Sequence, residues 1–432
     1  MSDIPRRRFL RLSASGAIGL AAAPGTAAIV SPQTLSAGNR VRVAVAGIRG
    51  RGQSHALELA GIKDVEVAAI ADVDSRLLPA LGKKLEERSG KKPAMGQDFR
   101  AFLDDKTIDA VSIATPDHWH VPIAIAACRA GKDVYVEKPC SHNIREGRLL
   151  VEAARKYGRV VQHGTQSRSG ASFHKALDFL RSGKLGKIRV AKVINSQRRD
   201  DIGRAQDGEA PEGVDYNLWL GPAPLRPFNK NRFHYNWHWF WDYGTGDLGN
   251  DGAHAMDYAR WFLGVEDPIA VSASGGKLYF QDDQETPDTQ TVTFEFPACH
   301  LIFEMRIWTP YQEHGIENGA VLYGDDGYME ISPRGWRAVS KDGKEEAKEQ
   351  GGVRSELHFE NFIECVRSRA KPRAEILEGH LSSRLCHMGN IAVRVGRRLL
   401  FDAKTETFKG DAEANRLLTR EYRKGFELPD SA

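Results

Sequence analysis

The hydrophobic pattern changes character once along the chain. From residue 41, short unbroken apolar runs (41–46, 65–71, 108–114, 134–137 and 160–163) alternate with stretches of helical spacing (53–60, about 118–130, about 144–157). Unbroken runs suit strands covered on both faces, and strand–helix alternation predicts a doubly wound parallel sheet with ligands at its C-terminal strand ends. From about residue 164 the alternation stops. Runs at 188–196, 269–279, 290–296, 300–308, 320–323 and 328–331 follow with little helix between them, several with period two. They predict a second α/β domain built on an open, mainly antiparallel sheet. Residues 338–352, rich in Lys, Glu and Gly, read as an exposed connection. The pattern divides the chain into 1–37, 38–163 and 164–432.

The first segment differs from the rest in charge. Arg6, Arg7, Arg8 and Arg11 stand against Asp3, ahead of a weakly apolar, Ala/Gly-rich stretch. The formal charge of +4 over 432 residues therefore falls mostly on this leader, and the body is close to neutral. Arg-Arg-x-Phe-Leu before such a stretch resembles a twin-arginine export signal, with cleavage after Ala28 or Ala37; a disordered basic leader is the alternative. The expected location is periplasmic or otherwise exported, and no cysteine follows the apolar stretch to carry a lipid anchor. A near-neutral body argues against nucleic acid as a partner. Five scattered cysteines without a CxxC pair argue against a disulfide framework or a metal ribbon, and no metal is expected.

The chemistry sits at strand ends. The run 41–46 leads into Gly47-Ile48-Arg49-Gly50-Arg51-Gly52, then a helix, a second strand and Asp72, 20 residues after Gly52. This is the layout of a dinucleotide site: glycines for the turn, a helix N-terminus for the pyrophosphate, an acid for the ribose hydroxyls. Arg49 occupies the usual middle-glycine position, and Gly50 follows it directly. A carboxylate at Asp72 repels a 2′-phosphate and favours NAD over NADP. Thr115-Pro116-Asp117-His118-Trp119-His120 follows the strand at 108–114, and Glu137-Lys138-Pro139 ends the next. A partly buried lysine beside the nicotinamide position can exchange a proton with a substrate hydroxyl, oriented by Glu137.

Together these elements resemble the Gfo/Idh/MocA oxidoreductases. The resemblance continues through Trp219-Leu220-Gly221-Pro222-Ala223-Pro224, Gly246–His254 and residues 361–402, nearly the whole chain after the leader. It implies a nicotinamide cofactor bound around Gly47, Arg49, Gly50, Gly52, Asp72, Thr115, Pro116, His120, Glu137 and Lys138. It also implies a substrate-binding second domain whose sheet forms a homodimer or homotetramer. The family's Asp-x-x-x-His motif aligns on His254, with Asn250 in the aspartate position and Asp251 next to it. Lys138 and His254 are the candidate catalytic pair. Asn250 can position a hydroxyl but cannot act as a carboxylate base. The aromatic block from Tyr235 to Tyr243, which includes His238, reads as local core or as a surface for a sugar ring.

The expected activity is NAD-dependent oxidation or reduction of a secondary alcohol on a sugar, cyclitol or glycoside. The alternatives are a glycoside hydrolase of the same fold that uses NAD transiently, and a sugar-binding protein without activity. The protein with Arg6 and Arg7 both changed to lysine is expected to fold normally and stay in the cytoplasm. Fractionation that finds this variant delivered to the periplasm as well as the native chain removes the twin-arginine reading.

Overall fold

The computed structural model describes residues 40–429 and 431, so the export signal lies outside the described residues. The first sheet contains β1 (Val41–Ala46), β2 (Val65–Ala71), β3 (Ala94–Gly96), β4 (Ala110–Ile113), β5 (Asp133–Val136) and β6 (Val161–His163). Its order is β3-β2-β1-β4-β5-β6, and every pair is parallel. Helices α1 (Arg51–Leu59), α2 (Leu78–Ser89), α3 (Asp117–Arg129) and α4 (Ile144–Lys156) alternate with these strands. The start of α4 shows how the sequence sets its ends: the Asn143 side chain accepts the Glu146 N–H, with Arg155 and Lys156 in the last turn. The predicted doubly wound sheet is present: β1 and β2 match their predicted bounds, β4, β5 and β6 differ by one or two residues at their ends, and the short edge strand β3 was not expected.

The second sheet has ten strands, β7 (Ile188–Asn195), β8 (Ala270–Gly276), β9 (Thr289–Glu295), β10 (His300–Arg306), β11 (Asn318–Gly324), β12 (Gly327–Ser332), β13 (Gly335–Ser340), β14 (Glu345–Gln350), β15 (Leu399–Asp402) and β16 (Thr407–Phe408). It is mainly antiparallel, as expected, with β7 and β10 the one parallel pair among the described strands of this sheet. The stretch 338–352 is not a bare connection. It holds the end of β13 and all of β14, a hairpin at the sheet edge. Five of the six residues of Glu345–Gln350 are polar, because an edge strand exposes one side to water and charge there blocks pairing with other chains. That polarity hides the strand from a hydrophobic pattern.

Helices α5 (Ala171–Arg181), α6 (Tyr216–Leu220), α7 (Gly246–Gly249) and α8 (Gly252–Leu263) belong to the second half, and α9 (Ser355–Ser368) crosses back. Phe359, Phe362 and Ile363 of α9 share one buried cluster with Val41, Val43 and Val45 of β1, and Phe359 stacks on Tyr135 of β5 at 4.5 Å. The motif at 115–120 also receives part of the second half. Trp119 Nε1 donates to the Leu218 and Trp219 carbonyls, both at 3.1 Å, and His118 Nε2 lies 2.9 Å from the Trp219 carbonyl. Gly221, at φ 47°, permits this contact, since a β-carbon there would lie 2.2 Å from the Trp119 ring.

Burial sets the charge state of several histidines. It pushes His118, His163, His238 and His387 down to about 3 and His358 to about 4. In the unfolded chain each titrates near 6.5. Between these values the unfolded chain binds more protons than the native one, so stability present above pH 6.5 is lost as the pH falls toward 4. The urea midpoint is therefore expected to be lower at pH 5 than at pH 7.5; equal midpoints would count against buried neutral histidines.

Candidate active site

The C-terminal ends of β1, β2, β4 and β5 open with the start of α8 onto one cleft of about 500 Å³, the size range of small-molecule and cofactor sites. The glycine turn forms one end. A β-carbon on Gly52 would lie 1.7 Å from the Gly47 carbonyl oxygen, so the turn closes on itself only with glycine there. Gly50, at φ 54°, sits immediately before α1 and has nothing within 4 Å of where a side chain would start. The open approach thus falls at Gly50, one residue after the usual middle glycine, while Arg49 lies exposed on the rim. The first turn of α1 offers its backbone N–H groups at this end.

Asp72 follows β2 and borders the same cleft. Its Oδ2 accepts the Ile48 N–H at 2.8 Å and its Oδ1 the Asp74 N–H at 2.9 Å, tying the turn to the strand end. Burial raises its pKa, which these two bonds oppose. Arg76 is turned away, donating to both oxygens of Asp74 at 2.7 Å. The Thr115 hydroxyl, after β4, is buried with no hydrogen-bond partner. A buried polar atom of this kind calls for a partner, and it fits an oxygen of a bound dinucleotide. Pro116 lines the wall beside it. The His120 ring serves another end: its nitrogens lie 2.7 Å from the Pro139 carbonyl and 2.8 Å from that of Thr115, linking the two strand-end loops.

Glu137 and Lys138 divide their work. Glu137 Oε1 accepts from Arg51 Nε at 2.9 Å, His55 Nε2 at 3.0 Å and Gln166 Nε2 at 3.1 Å. Its Oε2 accepts the backbone N–H of Lys138 at 3.1 Å, so it fixes the lysine's main chain and not its amine. Burial opposes this charge, but Arg51 and His55 overcome it and hold the carboxyl well below its usual range. Lys138 Nζ donates to Asn250 Oδ1 at 2.7 Å. The Asn250 amide donates in turn to Asp247 Oδ1 at 3.0 Å, and Asp247 also receives Asn195 at 3.1 Å and Arg199 at 3.0 Å. The asparagine is thereby oriented with its oxygen toward the amine.

His254, in the first turn of α8, lines the cleft, and burial followed by the Lys138 charge pushes its pKa down to about 4. Its ring is neutral at neutral pH and can take or give one proton. His238 also lines the cleft, donating from Nδ1 to the Tyr235 carbonyl at 2.5 Å. Asp251 does not line it; its carboxylate pairs with Arg199. The aromatic block splits between both expected roles: Trp239, Phe240 and Tyr243 are buried in the core, whereas Tyr235 and Trp237 line the cleft. Pattern reasoning passed over His234, which lies 3.3 Å from Asp74, and Asp117, whose carboxyl accepts the Thr245 hydroxyl at 2.8 Å. Asp117 stood inside a motif already singled out, and His234 directly precedes the aromatic block.

A parallel sheet ending in a glycine turn and an acid, with lysine and histidine lining the same cleft, defines the class of NAD-binding oxidoreductases. The chain belongs to the Gfo/Idh/MocA family: residues 41–165 match its NAD-binding Rossmann fold and residues 201–428 its C-terminal alpha/beta domain. The fold resembles the WlbA dehydrogenase from Bordetella pertussis, solved with NADH and UDP-GlcNAcA (19% identity, TM-score 0.64, 84% of this chain and 99% of that one). It also resembles the aldose-aldose oxidoreductase from Caulobacter crescentus (21% identity, TM-score 0.61, 84% and 100%). Curated relatives include a glycosyl hydrolase family 109 protein from Shewanella baltica, 28% identical over 207 residues, 44% of this chain and 45% of the relative. An alpha-N-acetylgalactosaminidase from Shewanella oneidensis is 27% identical over 206 residues, again 44% and 45%. The matched stretch is less than half the length of these relatives.

Asp72→Ala is expected to narrow the preference for NAD(H) over NADP(H), because it removes the charge that repels a 2′-phosphate. Titrating both cofactors into native and variant protein checks this, and a native protein that binds NADP(H) more tightly contradicts the assignment.

Proposed function

We propose that the protein oxidises or reduces a secondary alcohol of a sugar, cyclitol or glycoside. The observation that carries this reading is the Lys138 amine, held 2.7 Å from Asn250 Oδ1 in the cleft that also contains the glycine turn and Asp72. Held at the glycine turn and Asp72, NAD would supply a hydride acceptor, and NADH a hydride donor, for the carbinol carbon. The amine of Lys138 takes the proton from the hydroxyl on that carbon. Asn250, whose oxygen and nitrogen are committed to Lys138 and Asp247, keeps the amine in place and meets a neighbouring hydroxyl. The neutral His254 orients the reacting hydroxyl or passes its proton on. Glu137 acts through the main chain, holding the lysine at the strand end.

The second reading is glycoside cleavage through transient oxidation and elimination, with no net turnover of NAD. The glycosyl hydrolase family 109 relatives favour it. The proposal extends to location and assembly. The Arg-Arg-x-Phe-Leu signal supports export of the folded protein with its cofactor aboard. The family's open sheet supports a homodimer or homotetramer.

Lys138→Ala is expected to slow single-turnover hydride transfer on the order of 10²–10⁴-fold, the usual contribution of a positioned acid/base. NAD affinity should change little, since the turn and Asp72 supply the anchors. Lys138→Arg is expected to rescue poorly, because a guanidinium stays protonated. Stopped-flow measurement on NAD-loaded variants, screened against sugars and glycosides with products read by mass spectrometry, distinguishes oxidation from cleavage. A folded, NAD-bound Lys138→Ala protein reacting at the native rate transfers the role to His254.

A further inference from the structure

The part of the cleft beyond Lys138 has a chemistry of its own. Trp237 and His238 stack with ring centroids 3.6 Å apart and planes 20° from parallel, making a double-layered flat wall that lines the cleft. Tyr235 packs against it, 4.8 Å from His238. Trp237 is only partly buried although it packs on the core, so part of its surface is left uncovered. Aromatic residues that remain partly open beside fixed polar groups are matched by a ligand with one apolar face and a hydroxylated edge.

The charges here are already spent on one another. Arg199 is paired with both Asp247 and Asp251. Arg51 is paired with Glu137 at 2.9 Å. His238 and His254 are kept neutral at working pH by burial and by the Lys138 charge. Arg49 stands at the glycine turn, at the other end of the cleft. Among the described residues that line the substrate end, Lys138 is the one Lys or Arg not paired with a carboxylate, and its amine is bound to Asn250. Recognition of a carboxylate or phosphate commonly relies on a guanidinium fork free to bind it from two sides. None is offered here.

We infer that the substrate is an uncharged pyranoside, stacked by its C–H face on Trp237 with its hydroxyls toward Asn250, His254 and Lys138, and that Trp237 determines this specificity. The same arrangement disfavours sugar acids and nucleotide-linked sugars, which would bring a negative charge to an end without a guanidinium free to bind it. The inference rests on reading the cleft as a carbohydrate site. Binding and hydride transfer are separate measurements, so each can fail without the other.

The test uses NAD-loaded protein and a panel of methyl glycosides of neutral hexoses and N-acetylhexosamines, beside glucuronate and UDP-linked sugars. Saturation-transfer NMR and calorimetric titration read binding; stopped flow reads hydride transfer. A neutral glycoside is expected to bind with saturation strongest on the ring protons of one face. Trp237→Ala should weaken it by roughly 30-fold, the range of a buried tryptophan anchor, while NAD affinity moves less than about twofold. Trp237→Phe keeps a flat ring and should retain most of the affinity, which separates lost stacking from lost folding. Tighter binding of a uronate or UDP-sugar, or a neutral glycoside indifferent to Trp237→Ala, overturns the inference and leaves the oxidoreductase reading standing. Failure of every neutral glycoside to bind overturns it too. Neutral glycosides that bind through Trp237 but never give up hydride support the inference and sink the redox reading instead.

Discussion

The Glu137 carboxylate is the constraint on which the site depends. It is buried, yet it stays charged because Arg51, His55 and Gln166 converge on one oxygen and the Lys138 N–H meets the other. A buried ion is tolerable only when its neighbours replace water in this way. The geometry has a further effect. Arg51 and His55 belong to α1, the helix that starts at the glycine turn, so one carboxylate joins that helix to the backbone of Lys138. Gly164 accommodates it, since a β-carbon there would lie 2.8 Å from Glu137 Oε2. Displacing this side chain would disturb the turn and the lysine together.

Much of this was legible in the chain because parallel strands write their burial plainly. The unbroken runs at 41–46 and 65–71 read as strands covered on both faces, and glycine turn and acid fall where the strand ends put them. The edge strand Glu345–Gln350 was illegible for the opposite reason: facing water, it carries charges and no apolar signal. The role of Glu137 was half legible. Its nearness to Lys138 in sequence suggested that it orients the amine, but the bond runs to the main chain, and its partners come from 82 and 86 residues earlier. Such long-range convergence leaves no local pattern. The aromatic block shows a further limit, since composition cannot say which of several adjacent rings turns inward.

The second half of the chain completes the cleft. The element at 218–221 docks on Trp119 and His118, and His234, Tyr235, Trp237 and His238 add to the walls of a cleft that begins in the first sheet. Asn250 and His254 come from a short helix and the start of the next, with Gly252 packed so closely that a β-carbon there would lie 2.8 Å from Phe303. The position of these polar groups is therefore inherited from the core of the large sheet.

The return of Ser355–Ser368 to the first sheet has a consequence for synthesis. A nascent chain that has emerged only as far as β6 has the parallel strands and their helices, but the face around Val41, Val43, Val45 and Tyr135 still lacks Phe359, Phe362 and Ile363. That apolar surface stays open to water until nearly two hundred further residues have left the ribosome. The cofactor-binding half, though made first, is thus completed only after most of the chain has been made. Cutting the gene after the sixth strand would yield a half-covered sheet, prone to stick to its own kind.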